Sequence, residues 1–148
     1  MVMESRSAVL EGPPGSRPPK PLKSAPDARE GAVGWVKILD VQLNGIVPGR
    51  FRHVIKRYLK RIGLRNAVVE HEPDANPLML RLVAVARAER PISREQVRKI
   101  QHLRAAVDDI LRDAYLKAGH SSRADPEALR LRLAEAEPSL RKVYYAIR

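Results

Sequence analysis

The chain has 148 residues, a length that suits one domain of ordinary size and argues against a multi-domain enzyme. It contains no cysteine, which excludes disulfides, thiol nucleophiles, thiolate zinc sites and iron–sulfur clusters. Its 28 Lys and Arg residues against 17 Asp and Glu give a formal net charge of +11, which indicates a polyanionic partner.

Residues 1–34 are predicted to form a disordered basic arm. They contain six of the twelve prolines and four of the eight glycines, and few large apolar side chains that could be buried. Lys20 and Lys23 lie at the end of the proline-rich stretch and are predicted to contact nucleic acid. No apolar run is long enough for a membrane span or a secretory signal, so we expect a soluble, cytoplasmic protein without membrane contact.

The pattern changes at Trp35, where a small αβ domain is predicted to begin and to extend over residues 35–91. Apolar side chains alternate up to Leu43, as in a half-buried strand. Over residues 50–62 the apolar residues recur every three or four positions, which predicts an amphipathic helix that ends at Gly63.

Two β-prone runs complete this predicted domain. Residues 67–72 and 78–86 flank a connection that contains two prolines, an Asp and an Asn, so a β-hairpin is predicted. The alternative for residues 76–90 is a helix that Asn76 caps, and it stays open at this point.

Residues 92–148 are predicted to form a helical hairpin used for dimerisation. Ser93 and Gln96 have the spacing of a capping box, and Asp125-Pro126-Glu127 has the form of a second helix start. Apolar residues repeat at three-four spacing in both helices, as in a leucine zipper. The predicted dimerisation residues are Ile100, Leu103, Val107, Ile110, Leu129, Leu133, Leu140 and Val143. The predicted fold class is therefore α+β, a small antiparallel sheet with a basic amphipathic helix, followed by this hairpin.

Positive charge is concentrated on the first predicted helix. Seven basic residues and no acidic residue lie between positions 50 and 65, most of them opposite the apolar stripe. Like charges at i and i+4 destabilise a helix by roughly 0.2–0.5 kcal/mol per pair, a cost that phosphate groups would offset. The predicted nucleic-acid-binding residues here are Arg50, Arg52, Lys56, Arg57, Lys60, Arg61 and Arg65. Trp35, at the strand entrance, is the candidate for stacking on bases.

The sequence contains no pattern that indicates catalysis. The acidic cluster Asp108, Asp109 and Asp113 fits a ladder of salt bridges, and residues 70–74 fit a solvated hairpin end better than a metal site. No glycine-rich phosphate loop or dinucleotide fingerprint occurs. We therefore predict a non-enzymatic protein without cofactor, metal or small-molecule substrate.

The basic segment RFRHVIKRYLKRIGLR and the heptad-spaced leucines after it resemble the archaeal ThermoDBP-type single-stranded-DNA-binding proteins. In these proteins a small basic αβ domain precedes C-terminal helices that dimerise through a zipper. The resemblance implies a homodimer that coats single strands without an OB-fold, and it transfers no site residue. Few Asn and Gln residues, no Cys and many Arg residues likewise suggest a thermophile.

The predicted function is largely sequence-nonspecific nucleic-acid binding, because the cationic face offers phosphate contacts and lacks the Asn and Gln side chains that read adenine. Single-stranded DNA is the favoured ligand, RNA and duplex DNA remain open, and such a protein would associate with the nucleoid. Two alternatives remain. One is a structural nucleoprotein component, ribosomal or viral, whose N-terminal arm orders on RNA or DNA. The other is a helical-hairpin module for protein interaction.

Overall fold

The computed structural model describes residues 17–117 and 126–147. It has an α+β fold in which a three-stranded antiparallel sheet packs against helices, the last two of which form a C-terminal pair, so the predicted fold class is confirmed. The elements are β1 (Gly34–Leu43), α1 (Gly49–Arg61), β2 (Arg65–Pro73), β3 (Leu80–Ala88), α2 (Arg94–Lys117) and α3 (Pro126–Tyr145).

The sheet has the order β1-β3-β2. Both outer strands are antiparallel to β3, so β1 and β2 run parallel to each other, and α1 connects them in a split β-α-β arrangement. The helical alternative for residues 76–90 is wrong. Asn76 caps no helix, and its side-chain oxygen instead accepts a hydrogen bond from the Leu78 N–H at 2.9 Å within the β2–β3 turn.

The central strand is buried on both faces of the sheet. Leu82 and Ala84 face the helices, whereas Val83 and Val85 belong to a smaller apolar cluster on the opposite face. Residues 82–86 therefore form a continuous buried run. The sequence left a helical alternative because Asn76 and Pro77 have the form of an N-cap and a first helical position.

The second face of the sheet is covered by the N-terminal segment. Leu22, in a 3₁₀ turn (Leu22–Ser24), and Ala25 pack on the smaller apolar cluster. The Glu72 carboxylate accepts hydrogen bonds from the Leu22 and Lys23 N–H groups, at 2.5 and 3.1 Å. Asp27 in addition pairs with Lys37 of β1. The predicted disordered arm is therefore corrected for residues 22–28, because the strands of the sheet bind them. Residues 1–16 lie outside the described part.

A single core joins the helices to the sheet. α1 directs Phe51, Ile55 and Leu59 into this core, and the Tyr58 hydroxyl donates to the Lys99 carbonyl of α2 at 2.8 Å. α3 packs against both α1 and α2. The boundary predicted at Pro91 therefore does not separate two units, because one apolar cluster contains residues from both sides of it.

The residues predicted to dimerise lie inside the single chain. Six of them are at most 1% exposed, and Ile110 and Val143 pack against the same core. The buried six are Ile100, Leu103, Val107, Leu129, Leu133 and Leu140. The apolar stripes of α2 and α3 thus meet each other, the sheet and α1 within one chain. Homodimerisation stays a prediction.

The capping box at the start of α2 is confirmed. The Ser93 N–H donates to the Gln96 side chain at 2.9 Å, and the Gln96 N–H donates to the Ser93 hydroxyl at 3.1 Å. Asp125 lies outside the described residues, although α3 does begin at Pro126, and Pro138 lies inside that helix without ending it.

The predicted salt-bridge ladder of α2 is confirmed only in part. Lys117 pairs with Asp113 at 3.0 Å, as predicted. The Arg104 guanidinium instead donates hydrogen bonds to the Asp27 carboxylate at 2.8 Å and to the Ile38 carbonyl at 2.6 Å, because α2 packs beside β1. Arg112 pairs with Asp109 at 3.4 Å, and not with Asp108, which the i,i+4 spacing of the ladder predicts.

Asp74 fixes the β2–β3 turn. Hydrogen bonds from the Asn76 N–H, the Gln42 side chain and the Arg81 guanidinium lower its pKa from an ordinary value of about 4 to about 2. Because the pKa of Asp74 is lower in the folded than in the unfolded chain, the ionised carboxylate stabilises the fold. This contribution is complete above about pH 4 and is lost as the pH falls toward about 2.

We expect Asp74→Asn to make the free energy of unfolding less dependent on pH at acidic pH. The urea concentration at the unfolding midpoint should drop between about pH 5 and about pH 2.5 in both proteins. The drop should be larger in the wild type, because only the wild type loses an ionised Asp74. An equal fall in both proteins would show that Asp74 does not carry this pH dependence.

Candidate nucleic-acid interface

α1 separates its apolar side from its charged side, as predicted. Phe51, Val54, Ile55, Tyr58 and Leu59 are buried. On the opposite side, five basic side chains of the helix are exposed, and Arg65 is exposed at the start of β2. We call these six residues the basic surface, which consists of Arg50, Lys56, Arg57, Lys60, Arg61 and Arg65.

No basic residue of α1 forms a salt bridge with a carboxylate of the described chain. In α2 and α3, by contrast, nine of the ten basic residues are paired with an acid. The concentration of cations on α1 is therefore not compensated by acids from elsewhere in the described part of the fold.

Arg65 differs from the other members of the basic surface. Gly63 follows α1 with a φ of +95°, and the chain then turns into β2, so Arg65 lies outside the helix that carries the other five cations. The guanidinium of Arg65 lies 3.7 Å from the Glu89 carboxylate, and both side chains are more than half exposed. An ion pair as exposed as this one contributes little, so Arg65 remains able to bind an external anion.

A groove lies where α1 meets β2. It has a volume of about 470 Å³ and is lined by Lys56, Lys60 and Arg65 together with the backbone of residues 63–67. Three cations thus face one concave surface at which a phosphate group can be held.

Arg52 is the least open of the seven predicted cations. It is half-buried, and its Nε has no hydrogen-bond partner. It lies near His71, whose Nε2 accepts the Val47 N–H at 2.9 Å. Burial and the charge of Arg52 lower the pKa of His71, which keeps the ring neutral and able to accept this bond.

Two aromatic residues that the sequence did not assign to the site lie beside the basic surface. The guanidinium carbons of Arg57 and Arg61 lie 4.8 and 5.4 Å from the centre of the Tyr144 ring. Hydrogen bonds from Arg61 and Arg57 lower the pKa of the Tyr144 hydroxyl. Tyr145, which is 63% exposed, contacts Tyr144 edge to face, with 5.0 Å between the ring centres. Only the packing of α3 on α1 brings them here.

The structure places Trp35 and Lys23 away from α1. Lys20 is exposed and lies two residues before Leu22, which packs on the face of the sheet opposite α1. Trp35 packs against the smaller apolar cluster on the opposite face of the sheet. The Nζ of Lys23 donates to the Pro73 carbonyl at 3.2 Å, on the N-terminal segment that covers the same face. The prediction that Trp35 stacks on bases beside the basic helix is therefore corrected, because the sheet lies between them.

The part of the chain that the structure describes contains no group of three or more His, Asp or Glu residues arranged to hold a metal ion. Among the described helices, none combines the length and the apolar composition needed to cross a membrane. No protein family, curated protein or solved structure matches this chain.

Proposed function

We propose that this chain is a non-enzymatic protein that binds nucleic acid through the basic surface. The observation that carries the proposal is that the basic residues of α1 have no carboxylate partner in the described chain, whereas those of α2 and α3 almost all have one. Repulsion among these cations weakens the helix, and a row of phosphates removes that repulsion.

The start of α1 supports the same proposal. Its first turn carries Arg50 and Arg52 and no acidic residue, and Pro48 provides no side-chain cap. A helix N-terminus has partial positive charge, so each cation there is unfavourable by about 0.3–1 kcal/mol at an exposed position. An anion bound near this turn would offset the unfavourable charge of the two arginines and would take the place of the missing side-chain cap.

We favour single strands because Tyr144 and Tyr145 lie beside the cations. Among single strands we favour DNA, the ligand that the resemblance to the ThermoDBP-type proteins implies. An aromatic side chain next to a basic groove is typical of sites that bind unpaired bases. The order of a basic αβ part and C-terminal helices, similar to that in archaeal ThermoDBP-type proteins, agrees with this preference. A protein with this activity would be expected at the nucleoid.

The two alternatives have less support. A nucleoprotein arm that orders only on RNA or DNA is less favoured because Leu22 and Ala25 of that arm already pack on the sheet. An interaction module that uses the apolar stripes of the hairpin is less favoured because those stripes are buried in the core.

The dependence of affinity on salt tests the proposal. If all six residues of the basic surface contact phosphates, each contributes ~0.7 to the slope for a single strand, so a plot of log affinity against log salt should have a slope of about −4. The measurement is fluorescence anisotropy with labelled oligothymidylate over a series of salt concentrations. A slope shallower than about −2 would contradict a surface with several phosphate contacts.

A further inference from the structure

A second groove lies between α1 and α3, next to the basic surface. Its volume is about 420 Å³, within the range of roughly 300–1,000 Å³ typical of small-ligand sites. We call it the α1–α3 groove, and its lining includes Arg50, Arg57, Glu137, Arg141 and Tyr145.

The charge of this groove favours an anion. Glu137 is the one carboxylate among its lining residues, and it is only 7% exposed. Arg141 donates two hydrogen bonds to it, at 2.8 and 2.7 Å, and this pairing holds the pKa of Glu137 below its ordinary value. Because Glu137 and Arg141 neutralise each other, Arg50 and Arg57 leave the groove with a positive charge.

The aromatic side of the groove is held in place. Arg57 and Arg61 lie over the ring of Tyr144, which in turn contacts Tyr145 at an interplanar angle of 68°. Tyr145 nevertheless remains 63% exposed, so most of its side chain is open to a ligand. An exposed aromatic ring on a fixed support, beside two guanidinium groups that form no salt bridge with a described carboxylate, matches the requirements for binding a base and its phosphate together.

We propose that the α1–α3 groove holds one unpaired nucleotide, with its base stacked on Tyr145 and its phosphate bound by Arg50 and Arg57. The surface would then select single strands over duplexes, because the bases of a duplex are already stacked on each other and cannot reach the ring. This inference rests on the proposed function, since the basic surface must first bind the strand.

The test compares Tyr145→Ala with the wild type on single-stranded oligothymidylate and on a duplex of equal length, at one salt concentration. We expect the variant to bind the single strand about 5- to 150-fold more weakly, the range for loss of one stacked base, with duplex affinity unchanged. Tyr145→Phe should retain wild-type affinity, because it keeps the ring. Leu116→Ala removes a side chain that is also 63% exposed, on α2, and should change neither affinity.

Photochemical cross-linking gives a second readout that is independent of affinity. An oligonucleotide that carries 5-iodouracil should cross-link to Tyr145, as identified by peptide mass spectrometry. A cross-link to Trp35 instead would overturn the inference, since that residue lies on the opposite face of the sheet.

The outcomes separate this inference from the proposed function. If Tyr145→Ala binds single strands as the wild type does while the salt slope stays steep, the nucleotide site is wrong and the proposed function stands. If single-strand and duplex affinity fall equally, Tyr145 supports the surface without stacking, and the inference is also wrong. If the wild type binds neither oligonucleotide, the proposed function itself fails.

Discussion

Replacing Arg50, Lys56, Lys60 and Arg65 together by glutamine is expected to weaken the binding of single-stranded oligonucleotide by about 600-fold at about 0.1 M salt. Each phosphate contact contributes ~0.7 to the salt slope, which amounts to a factor of about 5 per contact at that concentration. All four side chains are exposed, so the substitutions should leave the fold intact. Fluorescence anisotropy gives the affinity, and circular dichroism checks the fold.

The matched control removes the same number of charges from a different surface. Arg98, Arg112, Lys117 and Arg132 are exposed residues of α2 and α3, and each is paired with an acid. Their replacement by glutamine changes the net charge by the same amount, so only the general attraction to the strand should fall. Equal losses in the two variants would mean that net charge alone, and not the basic surface, governs binding.

Leu133→Ala is expected to lower the free energy of unfolding by about 2–5 kcal/mol, the usual cost of removing a fully buried leucine side chain. Leu133 is 0% exposed within one chain. The loss should therefore be independent of protein concentration, since a side chain that packs within its own chain does not depend on association. Chemical unfolding at two protein concentrations measures the loss in the free energy of unfolding and shows whether that loss depends on protein concentration.

Leu131→Ala provides the control, because Leu131 lies on the same helix but is 51% exposed. Its replacement should change stability by no more than about 0.5 kcal/mol. If the unfolding midpoint of the wild type rises with protein concentration and Leu133→Ala abolishes that rise, the apolar stripe of α3 does contribute to a subunit contact.

Periodicity correctly predicted the elements whose two sides differ. α1 was predicted at residues 50–62 and is observed at Gly49–Arg61, because its apolar and charged sides alternate with the helical period. The capping box of Ser93 and Gln96 was also predictable, since its hydrogen bonds are local. β3 was ambiguous because Asn76 and Pro77, just before it, have the form of a helix start, and such a local signal does not show whether a helix follows.

The sequence did not reveal which surfaces the apolar stripes of α2 and α3 contact. Apolar residues at three-four spacing form a stripe that must be buried against another surface. That surface can belong to a second chain or to the rest of the same chain, and the spacing is the same in both cases. The N-terminal segment shows the same limit. Its composition suggested disorder, whereas a few contacts suffice to bind it, among them Leu22 on Val83 and Val85 and two backbone hydrogen bonds to Glu72.

By itself, the sequence determined the α+β class, the capping box of α2 and the concentration of basic residues on α1, because each follows from residues close together in the chain. Only the tertiary structure decided that the zipper-like stripes close within one chain, that Trp35 lies across the sheet from α1, and that Tyr144 and Tyr145 lie beside it. These relations join residues that are distant in sequence, and packing fixes such contacts, whereas local periodicity specifies only which side of an element is buried.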